Sequence, residues 1–444
     1  VTDEMPTFRD HFLSIFQSAA AQYERTTQTD IVEEGLGEGQ SFAMAAAAVA
    51  AQRAQQTVEA HSDVIEEGFG DIARVCSALG LRYLEALVTG DEAGAALLAE
   101  QMEVSTCDPK WGRTLREYSD YFGWDGTRRQ IPYLKPTEAS RPIEIKTGAT
   151  IALFGDWAAG TKTARKTLES IKAFSPDILV HLGDIYYSGT EAECAVNFED
   201  VIEDVFDRKD NPLPVFTLAG NHDMYSGGIA YYDLIRRLNR GRQSQISSFF
   251  CLRSSDAQWQ LLAMDTGLHD YSPLSVGDAL TFVEKEEQAW LEARVAEFDG
   301  KSILLSHHQL FSAFSKIGKP AADGRLTTHN PNLLSLFKRL KSTGRSISAW
   351  FWGHEHNLCI YQPHLDLERG RCIGHGAVPI FEGENPYQLL EEGVDPPLLI
   401  EGTKLKVEQG VYEHGFAILR LGKNGSLANV DYVANGRIIF TESF

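Results

Sequence analysis

Cysteine is scarce in this chain of 444 residues: Cys76, Cys107, Cys194, Cys251, Cys359 and Cys372 stand far apart, with no CxxC pair. That spacing disfavours a thiolate zinc site and a disulfide framework alike, so the thiols read as free and buried. No apolar run approaches the roughly 18 residues of a membrane span, since the alanine-rich stretch around Ala45 to Ala51 soon meets Arg53 and Gln55. Positive charge is also short, with 41 Lys and Arg against 62 Asp and Glu and a formal net charge of −21. Such a field repels polyanions, so nucleic-acid coating is not expected, although a local metal site can still bind a phosphate. The chain opens at Val1 without a basic-then-apolar leader. A leader already removed stays open, and a cytoplasmic location is the expectation.

What is present suffices for packed cores: 43% hydrophobic and 10% aromatic residues over a length that allows two or three domains. Residues 5 to about 125 read as helices, because apolar residues recur at three and four (Phe8, Phe12, Ile15, Phe16). Two further helical stretches run from Ser41 to about Glu66 and from Asp71 to Val88. Residues 1–130 are therefore expected to form a helical bundle. Gly35, Gly37 and Gly39 lack the preceding strand and the spacing of a dinucleotide fingerprint. Residues 131–148, with Pro132, Pro136 and Pro142, read as a linker.

From Ala149 to the end the pattern changes to short apolar runs alternating with helical stretches such as Thr163 to Phe174 and Glu284 to Phe298. That is the signature of an α/β layered domain. Residues 415–441 read as antiparallel strands, with turns at Lys423-Asn424-Gly425 and Asn435-Gly436. A mixed or second sheet follows from the combination.

At the carboxyl end of five of these runs stands a polar cluster, the place where ligands bind in α/β sheets. The clusters are Gly155-Asp156-Trp157, Gly183-Asp184-Ile185-Tyr186-Tyr187, Gly220-Asn221-His222-Asp223, Ser306-His307-His308 and Gly353-His354-Glu355-His356. One such cluster is ordinary turn chemistry; five in order point to a metal centre. Oxygen and imidazole donors without thiolate suit iron, manganese or zinc. Seven donors exceed what one ion accepts with room for water. Two ions about 3.5–4 Å apart clamp an in-line displacement, and Asp184 is the natural carboxylate between them. The stretch from Gly155 to Thr163 is not a phosphate-binding loop, because Thr161 stands where lysine must directly follow the second glycine.

In order and wording these motifs resemble the metallophosphoesterase (calcineurin-like) superfamily, and within it the purple acid phosphatases. The resemblance covers roughly Ile151 to Ala377 and includes Leu218-Ala219-Gly220-Asn221-His222-Asp223, Met264-Asp265-Thr266 and His354-Glu355-His356-Asn357-Leu358. Ala158 stands where the wider superfamily has the histidine of Asp-x-His, and Tyr187 closes a Gly-Asp-x-x-Tyr motif instead. The resemblance implies an α/β (α+β) fold, a four-layer αββα sandwich preceded by the all-α domain. It implies a first metal held by Asp156, Asp184, Tyr187 and His356, and a second held by Asp184, Asn221, His307 and His354. A phenolate favours Fe(III) at the first position, with Fe(II), Zn or Mn at the second.

The implied activity is hydrolysis of phosphate esters, phosphomonoesters in preference to diesters, by a metal-bound hydroxide. His222 would contact the phosphate or protonate the leaving oxygen, with Asp223 holding its tautomer. Asn221, His222 and His308 are the expected substrate contacts; His308 is also the alternative to His307 as ligand. His375 is as readily a turn residue as a pocket residue, and Trp157 packs beneath the site. A phosphorylated small molecule or a nucleotide is the expected substrate. The alternatives are a nucleotide or cyclic-nucleotide phosphodiesterase on the same site, and a regulatory protein acting through the helical domain, which could also mediate homo-oligomers.

Overall fold

The computed structural model describes residues 91–105, 108, 112–123, 126–209, 212–273, 279–319, 327–390, 396–423 and 426–444. The helices expected before residue 90 lie outside the described residues. Two helices precede the sheets, α1 (Glu92–Met102) and α2 (Gly112–Phe122). Asp91 caps α1, its side chain accepting the Gly94 amide.

Two sheets face each other. One has seven strands in the order β1-β5-β6-β7-β8-β10-β9. These are β1 (Ile143–Ile145), β5 (Phe250–Ser254), β6 (Trp259–Ala263), β7 (Lys301–Leu305), β8 (Ile347–Trp352), β10 (Gly370–Ile373) and β9 (Leu358–Ile360). The other has six, in the order β15-β14-β13-β2-β3-β4. These are β15 (Arg437–Ser443), β14 (Asn429–Ala434), β13 (Gly415–Arg420), β2 (Thr150–Phe154), β3 (Ile178–His181) and β4 (Val215–Thr217). A two-stranded hairpin, β11 (Val407–Glu408) with β12 (Val411–Tyr412), stands apart. Residues 143–145, expected within a linker, instead form β1 and pair in parallel with β5. Ile143 and Ile145 are buried while Glu144 faces out, a period-two pattern too short to stand out among three prolines.

Strand alternation sorts the apolar residues into two layers. Ile151 and Leu153 of β2, Ile178 and Val180 of β3, and Ala417 and Leu419 of β13 join Leu261, Ile303 and Trp350 in the core between the sheets. Their neighbours Ala152, Phe154, Leu179, Phe416 and Ile418 turn to the outer face, onto Leu168 and Ile171 of α3 (Lys162–Ala173) and Val201 to Phe206 of α4 (Asp200–Phe206). Both faces are buried, which is why these strands read as continuous apolar runs. After α5 (Ile229–Leu238), α6 (Lys285–Ala296) and α7 (Pro331–Ser342) place Leu291, Val295, Leu333 and Phe337 against the seven-stranded sheet. The result is the expected four-layer αββα sandwich.

Local rules explain several boundaries. Thr161, the residue that spoils the phosphate-loop spacing, caps α3 by accepting the Ala164 amide. Trp157 donates its indole N–H to the Ala164 carbonyl at 2.6 Å and packs edge-on against Phe154 and Phe198. The β14–β15 hairpin turns on Asn435 and Gly436, with φ of 43° and 74°, the left-handed pair that a two-residue turn requires. The turn at residues 424–425 lies outside the described residues.

Candidate metal centre

The carboxyl ends of β2, β3 and β4 in one sheet and of β7 and β8 in the other open on a single point, and the five clusters meet there. Backbone bonds fasten the loops together: the Asp156 amide donates to Gly183 O (3.2 Å) and the Gly353 amide to His307 O (2.9 Å). Asp156, Asp184 and His354 hold left-handed backbones, with φ of 53°, 75° and 68°. Each such conformation costs about 1–3 kcal/mol and persists only where the surroundings over-determine it. Glycines let the loops close in. A Cβ on Gly220 would stand 2.1 Å from Asp184 Oδ1, and one on Gly353 2.6 Å from Asp156 Oδ2.

The donors form two groups. Asp156, Asp184 and His356 offer ligand atoms within 4.8 Å of one another; His356 Nε2 lies 3.4 Å from Asp156 Oδ1. In the second group His307, His308 and His354 offer ligand atoms within 4.8 Å of one another, and Asn221 Oδ1 is 3.1 Å from both His307 Nε2 and His354 Nδ1, which are 3.3 Å apart. Asp184 joins the groups: its Oδ1 is 3.4 Å from His307 Nε2 and its Oδ2 faces the first group. Asp156, Asp184, Asn221 and His307 are buried, while His354 and His356 are half-buried and leave one side open.

The residues fit two ions. Donor atoms 3.1–3.4 Å apart have the spacing of ligands about 2.0–2.2 Å from a shared ion. His307 Nδ1 donates to Leu182 O at 2.9 Å, which leaves Nε2 bare for a metal. Asn221 gives its amide nitrogen to the Tyr225 hydroxyl at 2.5 Å, so its oxygen faces inward. Burial alone would push the Asp156 carboxyl up. The His356 hydrogen bond, the imidazoles of His307 and His356 and the His354 amide outweigh it and hold the acid below its ordinary value.

Residues 149–358 match the family model described as calcineurin-like phosphoesterase. The chain carries a calcineurin-like phosphoesterase domain. No curated protein matches the chain. Among solved structures, it is similar to GAP50, described as the anchor in the inner membrane complex of Plasmodium, at 16% identity over 67% of this chain and 89% of that one, with a TM-score of 0.42. PhoD is similar at 11% identity over 68% of this chain and 70% of that one, with a TM-score of 0.42. TT1561 of Thermus thermophilus is similar at 10% identity over 54% of this chain and 96% of that one, with a TM-score of 0.34.

The phosphoesterase domain brings Asp156, Asp184, Asn221, His307, His354 and His356 together. Three expectations differ. Tyr187 is not turned into the first group: its hydroxyl donates to Asp108 Oδ2 at 2.5 Å. Tyr186 stands there instead, its hydroxyl 3.0 Å from Asp184 Oδ2, 3.1 Å from Asp156 Oδ1 and 3.0 Å from His356 Nε2. Adjacent side chains leave a turn on different sides, so only one of the two phenols faces the centre.

Asp223 does not orient His222. Its carboxylate accepts the amides of Gly220 (2.7 Å), Asp184 (3.0 Å) and Ile185 (3.1 Å), while His222 Nδ1 meets Tyr187 O at 2.7 Å. A buried acid next to three otherwise unpaired amides satisfies them first.

His308 is 6% exposed, and its ring nitrogens lie 3.1 Å from Thr266 Oγ1 and 3.1 Å from Asp270 Oδ2. It backs His354, with ring centroids 4.4 Å apart, rather than standing open to substrate. Burial and the Asp184 charge push the Asp270 carboxyl up to about 8. His375 is buried, its Nε2 3.3 Å from Val433 O. Tyr225 and Asp270 were not singled out from sequence, and Tyr186 and Thr266 stood within the quoted motifs without a role of their own. The signal for Tyr186 was its place beside Tyr187; Tyr225 and Asp270 carried none. Among the described residues no helix is long and apolar enough to cross a membrane.

Proposed function

We propose that the chain hydrolyses phosphate esters at a binuclear metal centre. The observation that carries the reading is Asp184, whose two oxygens face the two donor groups. When bound, the ions supply an activated water and neutralise charge on the phosphoryl group. Asp156, Asp184 and His356 hold the first position, and Asp184, Asn221, His307 and His354 the second. Two carboxylates, an imidazole and a nearby phenol favour Fe(III) at the first position; an amide oxygen and two imidazoles suit Fe(II), Zn or Mn at the second.

His222 lies at the rim, its Nε2 3.8 Å from Asp184 Oδ2. With Nδ1 donating to Tyr187 O, Nε2 is the nitrogen on the side of Asp184 and the donor groups. Burial holds this imidazole below its ordinary value. The negative charge of a bound ester raises it again, so the ring takes up a proton from solvent at Nε2 and passes that proton to the leaving oxygen. A phosphomonoester is the preferred substrate, on the wording of the motifs, and the catalytic unit begins with β1 rather than at residue 149. The test is metal content by mass spectrometry with hydrolysis of monoester and diester panels by the full chain. Fewer than two ions per chain, or no ester cleaved when both positions are filled, would sink the proposal.

A further inference from the structure

The two tyrosines that follow Asp184 part company in space. Tyr186 is fully buried with its hydroxyl among Asp156, Asp184 and His356. Tyr187 is gripped at three points. Its amide donates to Glu193 Oε1 at 2.6 Å, its carbonyl accepts from His222 Nδ1 at 2.7 Å, and its hydroxyl donates to Asp108 Oδ2 at 2.5 Å. Asp108 belongs to the segment before the phosphoesterase domain and is 2% exposed. The same carboxylate oxygen accepts the Val104 amide at 2.7 Å, and Val104 is buried in the outer core with Trp157 and Phe198. The next residue repeats the attachment, Ser188 Oγ donating to Thr114 Oγ1 of α2 at 2.9 Å.

We infer that Asp108 is a positioning residue of the metal centre. By holding the Tyr187 phenol on the amino-terminal segment it leaves Tyr186 as the phenol at the first metal position, and it fixes the carbonyl that orients His222. A short hydrogen bond to a buried carboxylate is among the strong ones, and it draws the Tyr187 oxygen toward Asp108. With that grip released, both phenols can compete for one position. The segment before the domain thereby becomes part of the active centre. The inference rests on the two-ion reading above and names which side chains complete it.

The experiment uses the full chain freed of metal and reloaded with Fe(III), then with Co(II), comparing the parent with Tyr186→Phe, Tyr187→Phe, Asp108→Ala and Asp108→Asn. Visible and near-ultraviolet spectra, metal content and ester hydrolysis are read in parallel. Tyr186→Phe is expected to abolish the phenolate-to-iron band, or the tyrosinate difference signal with Co(II), and Tyr187→Phe to keep it. Asp108→Ala shifts the band and weakens retention of the first ion about 10–100-fold, as loss of an outer-shell partner does. Asp108→Asn, whose amide oxygen can still accept the phenol, restores the parent band. In the Tyr187→Phe background, Asp108→Ala adds less than a twofold further change.

A band lost in Tyr187→Phe and kept in Tyr186→Phe overturns the assignment. So does an Asp108→Ala variant that only loses thermal stability, with its band unmoved. A fully loaded parent that shows the Tyr186 signal but cleaves no ester removes the hydrolase reading and leaves this inference standing. A parent that takes up no metal removes both.

Discussion

Oδ1 of Asp184 lies 3.4 Å from Nε2 of His307, across a space the size of one ion, with the two residues coming from opposite sheets of the sandwich. The Leu182 carbonyl that fixes the His307 tautomer comes from the same loop as Asp184. Closure of the sandwich and assembly of the centre are therefore one event.

Asp184→Asn keeps the shape of the side chain and removes the charge between the donor groups. The variant is expected to bind one ion or none and to lose at least about 10²–10³-fold in kcat, the scale of losing a preorganised electrostatic contact. Metal content and single-turnover hydrolysis report the two losses separately. Retention of two ions with full turnover would falsify the bridging role.

Asp223→Ala leaves the amides of Gly220, Asp184 and Ile185 without their acceptor. Each orphaned buried donor costs about 1–3 kcal/mol. Thermal melts of the metal-free protein should show a loss of several degrees or failure to fold. A tautomer-holding residue would instead leave the melt unchanged and lower only kcat.

His222→Ala tests the proton donor through the leaving group. Esters of alkyl alcohols, which need a proton on departure, should slow by roughly 10²–10⁴-fold. Nitrophenyl esters should slow far less. Equal slowing of both classes would assign His222 to phosphate binding alone.

Arg371 and Glu442 give a prediction on acid stability. Arg371 is 2% exposed and grips both oxygens of Glu442 at 2.7 Å, while Tyr432 donates to the same carboxylate at 2.6 Å. Burial alone would raise Glu442, but the Arg371 hydrogen bonds and charge outweigh it and hold the acid below its ordinary 4.5. A folded value below the unfolded one means stability fully present above about pH 4.5 and lost as pH falls through the depressed folded value. Glu442→Gln should remove that acid limb and cost about 3 kcal/mol at neutral pH, by leaving a buried guanidinium without its counter-charge. Chemical denaturation at pH 7 and at pH 4 checks both parts.

Much of this protein is written in one dimension. The five clusters were legible because each follows a short apolar run, and parallel strands buried on both faces end where ligands gather. Picking Asp156, Asp184, Asn221, His307, His354 and His356 out of those clusters took the family resemblance, whereas the hairpin at Asn435-Gly436 and Trp157 beneath the site were legible from the residues alone. Which way each side chain leaves its loop was not legible. Spacing told that a tyrosine follows Asp184 but not that Tyr186 turns inward while Asp108, 79 residues away, draws Tyr187 outward. It placed Asp223 beside His222 without revealing that three amides take up the acid. Side-chain direction depends on left-handed φ values and on partners distant in sequence, and only the packed loops decide these.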